Sequence, residues 1–186
     1  MKEIKAKKGF TIIEVVLVLA IAGLIFLMVF IALPALQRGQ RDTQRRNDMS
    51  RFMSQVNSFQ TNNRGRAPGV NDVISTGTTP GHFLTQYMMM VGQMGQSPTD
   101  AEITAAGRDS EFRDPQTGRN YRVVPANAGD PNSTVLTHDD GNFMTVVFAV
   151  GHGCAGEMFD GGGHGDRVVA IRINLEGAGT YCQTNL

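Results

Sequence analysis

Lys7-Lys8-Gly9-Phe10-Thr11-Ile12-Ile13-Glu14-Val15 sets a basic pair, a glycine and an aromatic residue directly ahead of the longest apolar run in the chain. From Phe10 to Leu36 the sequence is almost wholly apolar, 27 residues against the roughly 20 that a helix needs to cross the hydrocarbon core of a bilayer. The run therefore reads as a transmembrane helix. A secretory signal peptide has a shorter apolar region, about 7–15 residues, with its small-residue cleavage site behind it. Here the small residue, Gly9, stands in front. An uncleaved signal anchor on an unrelated exported domain accounts for the apolar run equally well, but not for a glycine directly before Phe-Thr-x-x-Glu.

Working outward, every lysine (Lys2, Lys5, Lys7, Lys8) precedes Gly9, and arginine supplies all later positive charge. The lysines argue for a cytoplasmic N-terminus, whereas Arg38, Arg41, Arg45, Arg46 and Arg51 follow the span, so the basic-residue rule alone leaves orientation open. Within the span Glu14 is the residue that physics singles out. A carboxylate inside a transmembrane helix costs several kcal/mol (about 2.5 or more) unless it is paired or hydrated. It either finds a cationic partner or snorkels to the cytoplasmic headgroups.

This junction closely resembles the cleavage region of type IV prepilins and the related secretion pseudopilins. The shared features are the Lys-rich leader, Gly9, an N-methylatable Phe10, Glu14 fifth in the mature chain, and a long uncharged helix after it. The resemblance implies an α+β fold of the type IV pilin kind, with a long N-terminal helix on a small antiparallel sheet and a disulfide-bounded C-terminal loop. It also implies cleavage between Gly9 and Phe10 by a prepilin peptidase that N-methylates Phe10, and a cytoplasmic leader with the globular part outside the cell membrane. In the assembled filament, Glu14 would meet the Phe10 ammonium of a neighbouring subunit. The implied partners are further copies in a helical homo-oligomer, an assembly platform with its ATPase, and the membrane. The implied role is a structural, non-enzymatic subunit of an extracellular pilus for surface attachment or twitching motility. A minor pilin or a pseudopilin of a DNA-uptake or type II secretion system shares the same N-terminus.

The expected organisation is a leader over 1–9, a transmembrane and filament-core helix over 10–36, its amphipathic continuation over 37–62, and a globular head over 63–186. Gly23 and Pro34 interrupt the apolar helix, as such residues do where neighbouring groups satisfy the freed backbone. Beyond Pro34, Met49, Phe52, Met53, Val56 and Phe59 recur at helical spacing, the pattern of a helix with one face packed on a sheet. Thr61-Asn62-Asn63-Arg64-Gly65 reads as its stop. A second helix is expected from Thr79-Pro80, with Phe83, Tyr87, Met90, Val91 and Met94 on one face as core. A short turn or helix is expected to start at Ser97-Pro98-Thr99-Asp100. Strands are expected at Tyr121 to Val124, Phe143 to Val150, Val168 to Ile173 and, shorter, Thr180 to Gln183, with a weaker one at Thr134 to Thr137.

The rest of the chemistry is sparse. Net formal charge is zero over 186 residues, which gives no general reason to expect nucleic acid. The Arg38 to Arg51 cluster could grip DNA phosphates, but no aromatics interleave with it, so pairing with Asp42, Asp48 or neighbouring subunits on the exposed helix face is expected instead. Cys154 and Cys182 would form one disulfide in an exported domain, a closure that contributes about 3–4 kcal/mol, and would stay reduced in the cytosol. His152 and His164 complete a set of zinc-ligand types with them, at a spacing unlike paired knuckles; the disulfide is the expected state, with no metal and no cofactor. Asp139, Asp140 and Asn142 suit calcium or, without metal, a hairpin turn. Gly151-His152-Gly153-Cys154-Ala155-Gly156 formally fits G-x-G-x-x-G, yet Phe159-Asp160-Gly161-Gly162-Gly163 leaves no room for the helix that a dinucleotide site requires. No G-x-S-x-G, H-E-x-x-H or C-x-x-C pattern occurs.

Overall fold

The computed structural model describes residues 9–73, 82–88, 112–134, 144–177 and 179–186. The chain forms two compact units, Met1–Arg38 and Gly39–Leu186, and helix α1, Ile12–Asn62, contributes to both. In the first unit α1 is the one helix among the described residues that is long and apolar enough to cross a membrane.

In the second unit α1 buries a single stripe. Met49, Phe52, Met53, Val56 and Phe59 are all 4% exposed or less, the i, i+3, i+4, i+7 set that one face of a helix provides. The stripe packs on a four-stranded sheet of β1 (Arg122–Pro125), β2 (Thr145–Val150), β5 (Val169–Asn174) and β6 (Thr180–Thr184), in the order β1-β2-β5-β6. Alternation across the pleat divides the sheet between two cores. Val123, Val146, Phe148, Val169, Ile171 and Ile173 join the helix stripe, while Val147, Ala149 and Ala170 face the other way. Short helices α2 (Val70–Val73) and α3 (His82–Gln86) close the first core through Val73, Phe83 and Leu84, and Phe83 meets Phe52 and Phe59 edge-to-face at 5.5 and 5.6 Å.

The second face is covered by a two-stranded hairpin, β3 (Cys154–Ala155) and β4 (Met158–Phe159), and by the 3-10 turn Pro131–Ser133. Arg172 lies on this face, 4% exposed. Its guanidinium stacks 5.2 Å from the Phe159 ring and donates to Asn132 Oδ1 at 2.8 Å. Asn132 also brackets Phe159, accepting from its N–H at 2.9 Å and donating to its carbonyl at 3.0 Å. The cation thus substitutes a ring face and an amide for water, although burial lowers its pKa.

The sheet is mixed, which corrects the antiparallel expectation. β2-β5 and β5-β6 are antiparallel, but β1 runs parallel to β2, with Val123 opposite Val146. A parallel pair needs a crossover of about a dozen residues or more, and the segment 126–144 supplies one. Of the weaker strand expected over Thr134 to Thr137, Thr134 is a bend, and the remainder lies outside the described residues. So do Thr79-Pro80, Met90, Val91, Met94, the turn at Ser97 to Asp100, and Asp139, Asp140 and Asn142 with their calcium reading. The hairpin β3-β4 has no counterpart among the expected strands.

The end of α1 has an unusual closure. Gly65 N–H reaches the Gln60 carbonyl at 2.7 Å, a Schellman-type bond, and the residue between the last helical turn and Gly65 adopts a left-handed conformation. That residue is Arg64, φ 55°, the one non-glycine with positive φ among the described residues. A side chain there costs about 1–2 kcal/mol relative to the right-handed form.

Asp48, 3% exposed, accepts a hydrogen bond from the Tyr121 hydroxyl at 2.8 Å. Burial pushes its carboxyl up from 3.8 to about 6, against the opposing pull of Tyr121 and Arg51. The folded pKa lies above the unfolded one, so the folded state binds the proton more tightly and stability from this group rises as pH falls from about 7 to 4. We expect the unfolding midpoint of the detergent-solubilised chain to be higher at pH 5 than at pH 7.5. Asp48→Asn, which keeps an acceptor for Tyr121, should flatten that increase; an unchanged pH profile would show that Asp48 does not titrate in this window.

Candidate assembly segment and the head clamp

Helix α1 opens on a capping box. The Thr11 N–H and hydroxyl both donate to Glu14 Oε2 at 2.8 Å, and Glu14 N–H returns to Thr11 Oγ1 at 3.4 Å. The Thr-x-x-Glu spacing encodes this reciprocal arrangement, a signal that the charge argument alone passes over. Glu14 is therefore satisfied in part by its own chain. The carboxylate still carries its charge at the start of a segment in which Ile13, Leu17, Leu24, Leu27 and Phe30 are all more than half exposed. Gly23 and Pro34 both lie inside the continuous helix, and nothing within 4 Å would oppose a side chain at Gly23.

In the head, the expected pairing of the arginines with Asp42 and Asp48 is present, Arg45 to Asp42 at 3.6 Å and Arg51 to Asp48 at 3.7 Å, but Arg45 and Asp48 are buried and not on an exposed face. Arg45 is fully buried. It donates from Nε to Asp114 Oδ1 at 2.8 Å and from Nη2 to Gln116 Oε1 at 3.1 Å, and Nη2 also lies 3.1 Å from Glu176 Oε1. Asp114 is itself fully buried and accepts from Thr117 N–H through Oδ2 at 3.0 Å. One turn earlier, Arg41 meets Glu176 as a two-pronged fork at 2.7 and 2.6 Å. Asp42 accepts from the successive backbone N–H groups of Glu176 and Gly177 at 2.7 and 2.8 Å. A Cβ at Gly177 would stand 2.9 Å from Asp42 Oδ2, so glycine permits this approach. The cluster clamps the helix to the β5-β6 turn and to the turn before β1. The partners, Asp114 and Glu176, are about 70 and 135 residues away in sequence, and spacing along the chain could not have found them. Of the proposed DNA-gripping set, Arg41 and Arg45 are thus committed inside the subunit, and Arg46 stacks 5.5 Å from the Tyr181 ring.

Cys154 and Cys182 form a disulfide, Cα–Cα 5.9 Å, joining β3 to β6. The four zinc-type residues are consequently not a ligand set. His152 Nδ1 lies 2.9 Å from the Val150 carbonyl and His164 Nε2 pairs with Asp160 Oδ2; no group of three potential ligands occurs among the described residues. Asp160 organises the glycine-rich loop. Burial would raise its carboxyl, but N–H groups of Gly153 and Gly162 and the His164 ring outweigh it and hold the pKa below the usual range. The G-x-G-x-x-G lookalike opens the β3-β4 hairpin and no helix, so it lacks the helix N-terminus that would hold a pyrophosphate.

With this geometry in place, comparison with known protein families matches residues 4–30 to the prokaryotic N-terminal methylation motif. The chain carries the prepilin-type signature, and that signature supports a pilin-like or pseudopilin protein. No curated protein and no solved structure matches the chain.

The clamp makes a contrast testable. Removing Arg45 leaves the fully buried Asp114 without its cation, and breaking such a pair costs about 3–5 kcal/mol. Arg45→Ala should lower the denaturation midpoint accordingly. Arg41→Ala, at the wetter fork, should cost about 1 kcal/mol or less. Equal losses in chemical denaturation would mean that burial does not set the difference.

Proposed function

We propose that this chain is a pilin-like structural subunit, inserted in the membrane as a precursor, cleaved between Gly9 and Phe10, N-methylated at Phe10, and assembled through residues 10–36 into an extracellular pilus that serves surface attachment or motility. One observation carries the reading: the methylation motif leads directly into an apolar helical segment whose side chains are exposed all round. A helix that is apolar on every face is stable in lipid or surrounded by other apolar helices. Exchange of lipid for neighbouring copies needs little net transfer energy. An unpaired charge then decides which arrangement wins.

Glu14 supplies that charge. In the membrane it rests on Thr11 near the headgroups; in a filament core it is neutralised when a neighbour's Phe10 ammonium approaches, which favours one axial register. Cleavage creates that ammonium. It also removes Lys2, Lys5, Lys7 and Lys8, so the mature chain contains no lysine. The Phe10 amine is then its only amine, and no other basic group occurs before Arg38.

Sheared filaments should contain a subunit beginning at N-methyl-Phe10 by mass analysis. Amine-reactive ester should label intact filaments weakly and detergent-dissociated subunits once per chain. Recovery of assembled subunit with Met1 to Gly9 attached would overturn the reading. Glu14→Gln separates charge from capping, because glutamine also completes a capping box. That variant should accumulate as membrane-bound subunit and yield few filaments; normal filament numbers would dispose of the charge pair.

A further inference from the structure

Arg64 is an anomaly by the rules of helix termination. The position after the last turn of α1 takes a left-handed backbone, for which glycine is the usual residue, and Arg64 occupies it with φ 55°. Its side chain is exposed, so packing does not account for it. Strain retained at an exposed position directs attention to what the side chain does.

Two more arginines gather around the same turn. The guanidinium of Arg167 lies over Gly65, with Cζ, Nε and Nη2 at 3.3–3.5 Å from where a Cβ would stand. Gly65 thus leaves the space that Arg167 fills. The backbone of Arg167 is tied to the helix end, its carbonyl accepting from Gln60 Nε2 and, at 3.2 Å, from Asn185 Nδ2. On the other side of Gly65, Arg66 is held by Asp72 Oδ2 at 2.7 Å and by the Phe59 ring at 5.3 Å. Asp72 takes one N–H of this guanidinium, which carries five donors. Among the described residues, the carboxylates adjoining these arginines in contact or in sequence are Asp72, already engaged, and the exposed Asp166.

We propose that Arg64, Arg66 and Arg167 form a binding site for a tetrahedral oxyanion, a phosphate or sulfate ester carried on an extended polyanion. Guanidinium forks pair with such oxygens in two-pronged fashion. A tetrahedral group offers acceptors in several directions, as three arginines from two separate segments require, whereas a planar carboxylate is matched by one fork. Recognition of the tetrahedral groups would rest on charge and two-pronged hydrogen bonds and be salt-sensitive. The site does not depend on filament formation.

The test uses the detergent-solubilised full chain and three probes: linear polyphosphate, dextran sulfate and polyglutamate. Binding to the first two, weaker binding to polyglutamate, and loss of binding in raised salt are expected. Preference for polyphosphate over dextran sulfate would identify phosphate as the group bound, and the reverse sulfate; polyglutamate binding as tightly as both would overturn the proposal. Arg64→Gly has opposed expected effects. It should raise the unfolding midpoint by about 2–4 °C through relief of the left-handed strain, and weaken polyphosphate binding about tenfold. Arg167→Gln should weaken binding similarly, and Arg46→Gln, an equal loss of charge elsewhere on α1, should not. If Arg64→Gly stabilises the protein with binding intact, or Arg46→Gln weakens binding as much, the arginines serve only the helix end and general charge.

Discussion

One helix has to satisfy two different surroundings, and the rest of the structure follows from that constraint. A backbone in lipid must meet its own hydrogen bonds, which α1 does as one continuous helix that includes Gly23 and Pro34, losing only the bond that Pro34, without an N–H, cannot donate. From Val15 to Leu36 its side chains are apolar on every face. After Gly39 the same helix becomes one-sided, with Met49, Phe52, Met53, Val56 and Phe59 buried and serine, asparagine and arginine on the remainder. The two halves therefore differ in how they can be stabilised. The second has a sheet to cover its apolar stripe; the first requires a partner from outside the chain.

The sheet alone would leave the start of the head weakly held, because the apolar stripe begins only at Met49. Arg41, Asp42 and Arg45 fill this interval with charge. Burying Arg45 and Asp114 together is costly in solvation, and such clusters gain more in geometry than in net stability. Their contribution here is positional. Asp42 reads two consecutive N–H groups of the β5-β6 turn and Arg41 forks onto Glu176 of the same turn, contacts that exist in one helix-to-turn register. Asp48, a turn further on, adds a buried carboxyl that accepts from the Tyr121 hydroxyl.

The outer face of the sheet uses the same approach with fewer apolar residues. Arg172, Phe159 and Asn132 interlock over Ala170 and Val147, and the Cys154–Cys182 disulfide fastens the hairpin that supplies Phe159. Two small cores on either face explain why β2 reads as a continuous apolar run, Thr145–Val150, and shows no alternation. That lack of alternation marks a strand buried on both faces and carries no information on the direction of its neighbours. Beta propensity marks a strand's existence; direction depends on where the connection returns.

Local and periodic features were legible in the sequence itself. The apolar run, the prepilin-type junction, the helix stripe and its end near Gly65, and the cores of four strands all depend on residues within a few turns of one another. The capping box at Thr11 and Glu14 was written there too, at a spacing of three. Tertiary structure alone decided what depends on residues far apart in the chain. It buried Arg45 against Asp114, set Asp42 on the turn at Gly177, brought Arg167 over Gly65, and gave His152 and His164 separate contacts beside the disulfide that the sequence already led one to expect. The reason is physical: an arginine at an amphipathic helix position has the same local signature whether its charge meets water or a buried carboxylate, and only the folded chain determines which.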